Sequence, residues 1–288
     1  MRIWVAVATV GRASVLCRTT AWLAQQTRQA DGILVAGSCV DDVAGLQAQC
    51  PEAEIVLAPK GLCKQRNAAL SRLQGRCDAI VFFDDDFVAD RRYLENVERI
   101  LRRHSEVVGL TGELSGDGAQ TGEIAFADAV DLLPSALPLR NLANRRCTSL
   151  YGCNMVIRMS AAEGLAFDEA LPLYGWQEDV DFTTQLGRRG VMWRSSALGG
   201  VHLGVRGGRT SGLRLGYSQV ANIFYLLRKG TIGRWHGLTL LSRNVLANLS
   251  GSLWPEPGID RRGRLAGNLM AASDCLRGRV HPQRIESL

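Results

Sequence analysis

The stretch that decides the fold is "IVFFDDDFVAD", from Ile80 to Asp90. Four apolar residues lead directly into Asp84, Asp85 and Asp86. Adjacent carboxylates repel one another, and each raises the pKa of its neighbours unless a positive charge lies among them. The stretch therefore predicts a buried strand that ends at a site with a cationic partner.

Short apolar runs alternate with amphipathic segments in the first half of the chain. We predict strands at 3–9, 32–37, 54–59 and 79–84, and helices at 14–27 with Ser14 as N-cap, at 63–73, and after a cap at Asp90. This alternation indicates an α/β fold with a mostly parallel central sheet flanked by helices. Ligands bind at the carboxyl ends of the strands in such sheets, so we expect the three aspartates to face a ligand.

The pattern changes after Gly109, where the turn-rich residues 109–123 and the segment after them predict a surface excursion. Beyond it we predict a strand at 149–160, a helix from about Gln177, a strand at 191–198, a Gly- and Arg-rich segment at 199–212, and helices at 217–230 and 238–254. We expect a catalytic domain at 1–204, with a nucleotide-binding half to about 110 and an acceptor half at about 145–204. Residues 205–288 would form a helical extension.

The composition, the cysteine pattern and the lengths of the apolar runs indicate the compartment of the protein. The chain has 288 residues, 46% of them hydrophobic, and its scattered cysteines form no CxxC pair, which is typical of a reduced compartment. No run reaches the roughly 18 apolar residues that a membrane span needs, and the first residues lack a signal-peptide pattern. We therefore expect a cytoplasmic protein.

The net charge of +6 is unevenly distributed along the chain. From Val205 onward there are 13 Lys or Arg and 4 Asp or Glu, a charge of +9, which leaves −3 for the first 204 residues. A basic segment of this kind favours an anionic partner such as anionic lipid, a phosphorylated substrate or nucleic acid. Because no nucleic-acid-binding motif is present, we expect no nucleic acid partner.

The Asp-x-Asp pattern after a strand is typical of a divalent cation site. An EF-hand loop is excluded, since Val88 and Ala89 occupy its fifth-ligand and glycine positions. A phosphatase of the haloacid-dehalogenase type continues with Gly-Thr, whereas Phe87 and Val88 follow here. A nucleotide-sugar transferase site and purely structural carboxylates remain as alternatives.

A second group of polar residues lies in "GWQEDVDF", residues 175–182. Sugar transfer needs a general base for the acceptor hydroxyl and gains from a flat aromatic surface against the sugar ring. We assign Asp179 as the base, Glu178 as an acceptor contact and Trp176 as the platform. The alternatives are a core position for Trp176 and helix-dipole stabilisation for the acidic residues.

Cationic and metal-ligating side chains complete the candidate set. Lys64 and Arg66 begin a helix after a glycine, which suits an anionic diphosphate. His202 follows a strand in a Gly-rich run, so it is either a third metal ligand or a packed residue.

Taken in order, these motifs resemble family 2 glycosyltransferases of the GT-A fold. The resemblance runs over most of residues 1–205 through "VAVATVGRASVLCRTTAWLAQQT", "CKQRNAAL", "FFDDDFVAD", "YGCNMVIRMS" and "GWQEDVDF". The later runs "GVHLGV", "GYSQVAN" and "YLLRKG" resemble the branch found in bacterial exopolysaccharide gene clusters.

The resemblance implies an inverting, metal-dependent hexosyltransferase that uses a nucleotide-diphospho-sugar. Its cation, Mn²⁺ or Mg²⁺, would be held through Asp86 and Asp84, with His202 as third ligand. The residues implied to contact the donor are Thr9, Arg12, Lys64, Arg66, Asp84 and Asp85. Those implied to contact the acceptor are Trp176 and Asn154.

The resemblance also has consequences for substrates and location. An acidic residue that commonly contacts the nucleobase is replaced here by Ala36, with Asp41 and Asp42 further along, so uridine is only the default nucleoside. The acceptor would be a saccharide, lipid-linked through polyprenyl diphosphate, in cell-surface polysaccharide synthesis. The basic extension would give peripheral contact with the inner face of the plasma membrane. The alternative is a non-catalytic sugar-nucleotide-binding module, although the pair Glu178 and Asp179 argues against it.

Overall fold

The computed structural model describes residues 1–133, 143–205, 207, 211–256 and 258–288. Its strands are β1 Ile3–Ala8, β2 Gly32–Gly37, β3 Glu54–Leu57, β4 Ala79–Asp84, β5 Phe87–Ala89, β6 Val107–Asp117, β7 Asn144–Arg146, β8 Asn154–Arg158 and β9 Val191–His202. Its α-helices are α1 Ala13–Trp22, α2 Leu46–Gln49, α3 Leu62–Leu73, α4 Tyr93–Arg103, α5 Gly118–Thr121, α6 Phe126–Leu132, α7 Met159–Ala162, α8 Glu178–Leu186, α9 Gly212–Lys229, α10 Arg234–Leu253 and α11 Arg261–Leu276.

The strands form one mixed sheet in the order β3-β2-β1-β4-β8-β6-β9-β5, with β7 also paired to β9. The four strands predicted in the first half are parallel neighbours, and the predicted bounds of β2 and β4 are those observed. β8 then runs antiparallel to both β4 and β6, while β6 and β9 are parallel. The parallel character that we expected is therefore limited to the first half of the sheet and the β6–β9 pair.

The predicted surface excursion at 109–123 is wrong over most of its length, because β6 is a strand in the middle of the sheet. One of its glycines, Gly112, allows close approach to β9. A Cβ on Gly112 would lie 1.7 Å from the carbonyl oxygen of Leu198. A glycine that looks like a turn signal in this stretch thus serves to pack the backbone of β6 against that of β9. Residues 134–142 of the predicted excursion lie outside the described part of the chain.

Other predicted boundaries also need correction. The strand predicted at 149–160 is only β8, and β9 extends to His202, so this histidine lies on a strand. Arg12, rather than Ser14, occupies the N-cap position of α1, and α4 begins after Arg92. Asp90 instead accepts a hydrogen bond from the backbone N–H of Arg92. Arg206 and residues 208–210 of the predicted Gly- and Arg-rich segment lie outside the described residues.

The chain forms two compact units. The first contains residues 1–60, 64–166 and 185–208, and its core is built on the inward side chains of the sheet. The second contains residues 61–63, 167–184 and 209–288. Its core includes Tyr217 and Val220 on α9 and Ala271 on α11. The predicted functional halves and the boundary at 204 stay predictions.

Helices α9 and α11 of the second unit pack backbone against backbone. A Cβ on Gly216 would lie 2.0 Å from the carbonyl oxygen of Arg264, and a Cβ on Gly267 would lie 2.1 Å from that of Leu213. Only glycine permits this separation. Among the described residues, no helix combines the length and the apolarity that crossing a membrane requires.

Candidate metal centre

Strand pairing brings the end of β4 next to the end of β9. After Asp84 the chain turns through Asp85 and Asp86 into β5, which is antiparallel to β9 and pairs Phe87 with His202. The carboxylate of Asp86, one residue earlier, therefore lies beside the His202 imidazole. The Leu203 backbone N–H donates to the Asp86 carbonyl at 2.9 Å and fixes this arrangement.

Asp84, Asp86 and His202 could hold a metal ion together. One ligand atom from each lies within 4.8 Å of the others. The Oδ1 atom of Asp86 is buried and accepts no well-formed hydrogen bond from the described residues, while His202 Nε2 lies 3.3 Å from it. A buried carboxylate oxygen without a donor is costly, and a cation would remove that cost. Two carboxylates and an imidazole also form a chemically suitable ligand set for a divalent transition metal.

Asp117 is a member of the site that sequence reasoning missed. It ends β6 opposite His202 in the β6–β9 register, and its Oδ1 lies 2.9 Å from His202 Nδ1. A carboxylate on one imidazole nitrogen orients the other toward a metal. The run "SGDG" is typical of a turn, so Asp117 becomes a candidate only once β6 is recognised as a strand.

The ionisable side chains of this site shift one another's pKa values. Burial opposes protonation of His202, but its close contacts with Asp117 and Asp86 and the charges of Asp86 and Asp84 raise its pKa to about 10. Burial would raise the pKa of Asp86, yet contact with His202 and the charge of Arg12 hold it below the usual value. The pKa of Asp117 is lowered through His202 in the same way, also against burial. The cluster is therefore stable only with positive charge inside it.

Arg12 is part of the positive charge that the three aspartates require. Its Nη2 lies 2.5 Å from Asp85 Oδ1, and its Nη1 lies 3.3 Å from Asp86 Oδ2. Asp85 is completely buried and also accepts a hydrogen bond from the Thr9 hydroxyl at 2.7 Å. Burial raises the pKa of Asp85 to about 7, and the charge of Arg12 opposes the rise. Contacts of Thr9, Arg12 and Asp85 with a nucleotide stay predictions.

Arg66 is the second buried cation of the site. It is 2% exposed, and its Nη2 donates to Asp84 Oδ1 at 3.1 Å and to the carbonyl of Gly152 at 2.8 Å. The Asp84 side chain, at 28% exposed, is more accessible than those of Asp85 and Asp86. Lys64 lies in the first turn of α3 and is half-buried. Donor contacts of Arg66 and Lys64 stay predictions.

The region predicted to contact the nucleobase is held by Asp42. Ala36 is buried on β2, and Asp42 accepts hydrogen bonds from the N–H groups of Gly11 at 2.6 Å and Ser38 at 2.7 Å. Burial opposes the charge of Asp42, but these donors and the Ser38 hydroxyl lower its pKa. Asp42 thus ties the loops after β1 and β2 together, while Asp41 is exposed.

Asn154 is fully buried on β8. Its side-chain oxygen accepts hydrogen bonds from the Thr111 hydroxyl at 2.8 Å and from the Gly112 N–H at 2.5 Å. These contacts hold β8 against β6, which gives Asn154 a structural role. Its predicted acceptor contact stays a prediction.

The residues of "GWQEDVDF" lie in the second compact unit. Helix α8 begins at Glu178, one residue later than predicted, after Gln177 in a left-handed conformation with φ of 73°. Such backbone strain costs about 1–3 kcal/mol and clusters at functional sites. Glu178 is buried, while Trp176 and Asp179 are half-buried. Their roles as acceptor contacts and base stay predictions.

The same unit anchors this segment from α9. Asn222 donates a hydrogen bond to the carbonyl of Trp176 at 2.8 Å. Lys229 Nζ, at the end of α9, lies 2.7 Å from Asp181 Oδ2, and the Thr231 hydroxyl donates to Asp181 Oδ1 at 2.6 Å. The segment predicted to contact the acceptor, residues 175–182, is therefore held in place by residues of the predicted helical extension, 205–288.

No protein-family model matches the chain, and neither does any curated protein sequence. Solved structures do match. S. aureus TarS matches with a TM-score of 0.54 at 17% identity, over 88% of this chain and 44% of that chain. TarS 1–349 in complex with UDP-GlcNAc matches with a TM-score of 0.57 at 15% identity, over 100% of this chain and 84% of that chain. GalNAc-T7 with UDP, GalNAc and Mn²⁺ matches with a TM-score of 0.54 at 12% identity, over 80% of this chain and 51% of that chain.

At these identities the similarity shows the fold alone. The chain has the GT-A fold that its motifs predicted. It spans less than half of the larger TarS chain.

Proposed function

We propose that the protein is a divalent-cation-dependent glycosyltransferase that moves a sugar from a nucleotide-diphospho-sugar to a hydroxyl of a saccharide. The observation that carries the proposal is the cluster of Asp84, Asp86 and His202 at the strand ends of a GT-A fold. TarS has been solved with UDP-GlcNAc and GalNAc-T7 with UDP and Mn²⁺, which supports a uridine nucleotide as the first donor to test.

The chain's own residues prepare this site for a cation and a diphosphate. Asp84, Asp86 and His202 would hold the ion, and Asp117 orients the imidazole so that Nε2 faces Asp86. A bound cation would neutralise charge on the leaving diphosphate. Because imidazole suits transition metals better than Mg²⁺, we infer that Mn²⁺ is the preferred ion.

The proposed reaction is an inverting displacement. Asp179 would take the proton of the acceptor hydroxyl as that oxygen attacks the anomeric carbon, and Glu178 would hydrogen-bond the acceptor. Trp176 would support the sugar ring. Membership of family 2 and of the exopolysaccharide branch, and a polyprenyl-linked acceptor, are supported by the sequence motifs.

The first test is thermal unfolding with UDP, GDP, CDP, ADP and dTDP, each with and without Mn²⁺. A ligand at one hundred times its dissociation constant adds about 2.7 kcal/mol, which is several degrees in melting temperature for a chain of this size. We expect a shift with one nucleotide that requires Mn²⁺. The shift should be lost in Asp86→Asn and kept in Asp128→Asn, an exposed acidic residue on α6.

Two results would change the proposal. An equal shift with and without Mn²⁺ would refute a cation bridge at Asp86. Metal-dependent donor binding with no donor hydrolysis and no transfer to any saccharide acceptor would favour the non-catalytic module of the same fold.

A further inference from the structure

Helix α10 exposes an apolar face along its whole length. Trp235, Leu238, Leu246, Leu249 and Leu253 are between 48% and 83% exposed. Their spacing places them on one side of the helix, and we call this set the α10 face. Trp254, the residue that follows the last turn of α10, is also 73% exposed. Apolar patches of this extent on a protein surface usually mark an interaction site.

The charge on α10 itself has one sign, and the exposed acidic residues Glu256 and Asp260 lie in the connection from α10 to α11. The 20 residues of α10 include no Asp or Glu, and both of its arginines, Arg234 and Arg243, are exposed. The neighbouring α11 adds exposed Leu269 and Leu276 and the exposed cation Arg262. The surface therefore combines an apolar centre with the exposed cations Arg234, Arg243 and Arg262, while Glu256 beside it is paired with Arg261.

The combination of exposed apolar and basic side chains favours a lipid surface over a second copy of α10 as the partner. Paired helices normally carry opposite charges beside an apolar seam, whereas a second copy of α10 would bring arginine against arginine. Tryptophans at both ends of an apolar face, with basic and without acidic residues, fit the boundary between lipid headgroups and acyl chains. A helix of 20 residues is about 30 Å long and would lie in the plane of that boundary.

We propose that the α10 face docks the protein on an anionic lipid surface. The proposal goes beyond the proposed transfer reaction and does not depend on it. It assigns the positive charge of the C-terminal part to a particular helix face, with the leucines entering the lipid and the arginines pairing with headgroups.

The test is binding to vesicles of phosphatidylcholine with about one-third phosphatidylglycerol, compared with phosphatidylcholine alone. We expect co-sedimentation with the anionic vesicles, weakened by salt, and a blue shift of tryptophan emission. Arg243→Gln should lower the partition coefficient about fivefold, since each basic residue near the surface contributes about 1 kcal/mol. Leu246→Asp with Leu249→Asp should abolish binding. Val40→Asp, a matched change at an exposed position in the first unit, should not.

Each other outcome overturns the proposal. These are failure to bind anionic vesicles, equal binding to both vesicle types, and binding that survives the change at Leu246 and Leu249. Concentration-dependent self-association that disappears in this double variant, without vesicle binding, would make the α10 face an interface between copies. A nucleotide-dependent thermal shift should be unchanged in the double variant, so failure here is distinct from failure of the proposed reaction.

Discussion

Replacing Lys229 with methionine should loosen the segment that carries the predicted base. Lys229 Nζ lies between two carboxylates, 2.7 Å from Asp181 and 2.6 Å from Asp168. Asp181 is completely buried on α8, two residues after Asp179. Methionine preserves the length and packing of the side chain but removes the charge. The variant would take its cationic partner Lys229 from Asp181, to which the Thr231 hydroxyl also donates.

The size of the effect follows from burial. Removing one partner of a fully buried ion pair costs about 3–5 kcal/mol. Since the Lys229 side chain is 28% exposed and water screens part of the interaction, we expect the free energy of unfolding to fall by about 2–3 kcal/mol.

The pH dependence of this stability difference follows from Asp168. Burial opposes its charge, but Lys229 and the Tyr225 hydroxyl lower its pKa. The stability that Lys229 contributes through Asp168 should be fully present above about pH 4, the pKa of aspartate in the unfolded chain. It should be lost as the pH falls through the lowered pKa of Asp168 in the folded protein.

Hydrogen exchange of the α8 and α9 amides measures this loss in the unit concerned. Lys229→Arg should recover part of the protection, and Lys60→Met, at an exposed lysine of the first unit, should change nothing in α8. Adding Asp181→Asn to Lys229→Met should restore part of the stability, because it removes the buried charge that Lys229 neutralises. Unchanged exchange in Lys229→Met would refute the reasoning. A reduced kcat with unchanged KM for the donor would connect the contact to transfer.

Three further predictions follow from other contacts. Asp42→Asn should cost about 2 kcal/mol, because an amide cannot accept from all the donors around it. Since the folded pKa of Asp42 is lowered, the difference from wild type should be full above about pH 4, the unfolded value, and be lost as the pH falls through the folded pKa; acid unfolding monitored by circular dichroism measures both. Gly267→Ala should lower the melting temperature by several degrees, about 1–3 kcal/mol, because its Cβ would meet the Leu213 carbonyl, whereas Gly233→Ala meets nothing within 4 Å and should have a smaller effect. Asp179→Asn should abolish transfer and leave donor binding intact; normal turnover would exclude Asp179 as the base.

The local pattern of the sequence was sufficient for much of the fold. Strands β2 and β4 have the predicted bounds because short apolar runs between turn residues leave few other ways to bury their side chains. The position of Asp84 to Asp86 at a strand end follows from the same run. β6 was missed because its glycines are typical of turns, whereas Gly112 instead permits close approach to β9.

The sequence alone therefore determined the four strands of the first half, the acidic turn after β4 and the basic character of the last helices. Only the tertiary structure decided what surrounds them. Arg12 neutralises Asp85 from 73 residues away, and Asp117 reaches His202 across 85 residues. Such contacts depend on which strands pair and in what register, which is set by packing across the whole sheet rather than by any short run of residues. Likewise, the leucines of α10 are apolar in the sequence, but only the packing of α9 and α11 decides which of them remain exposed.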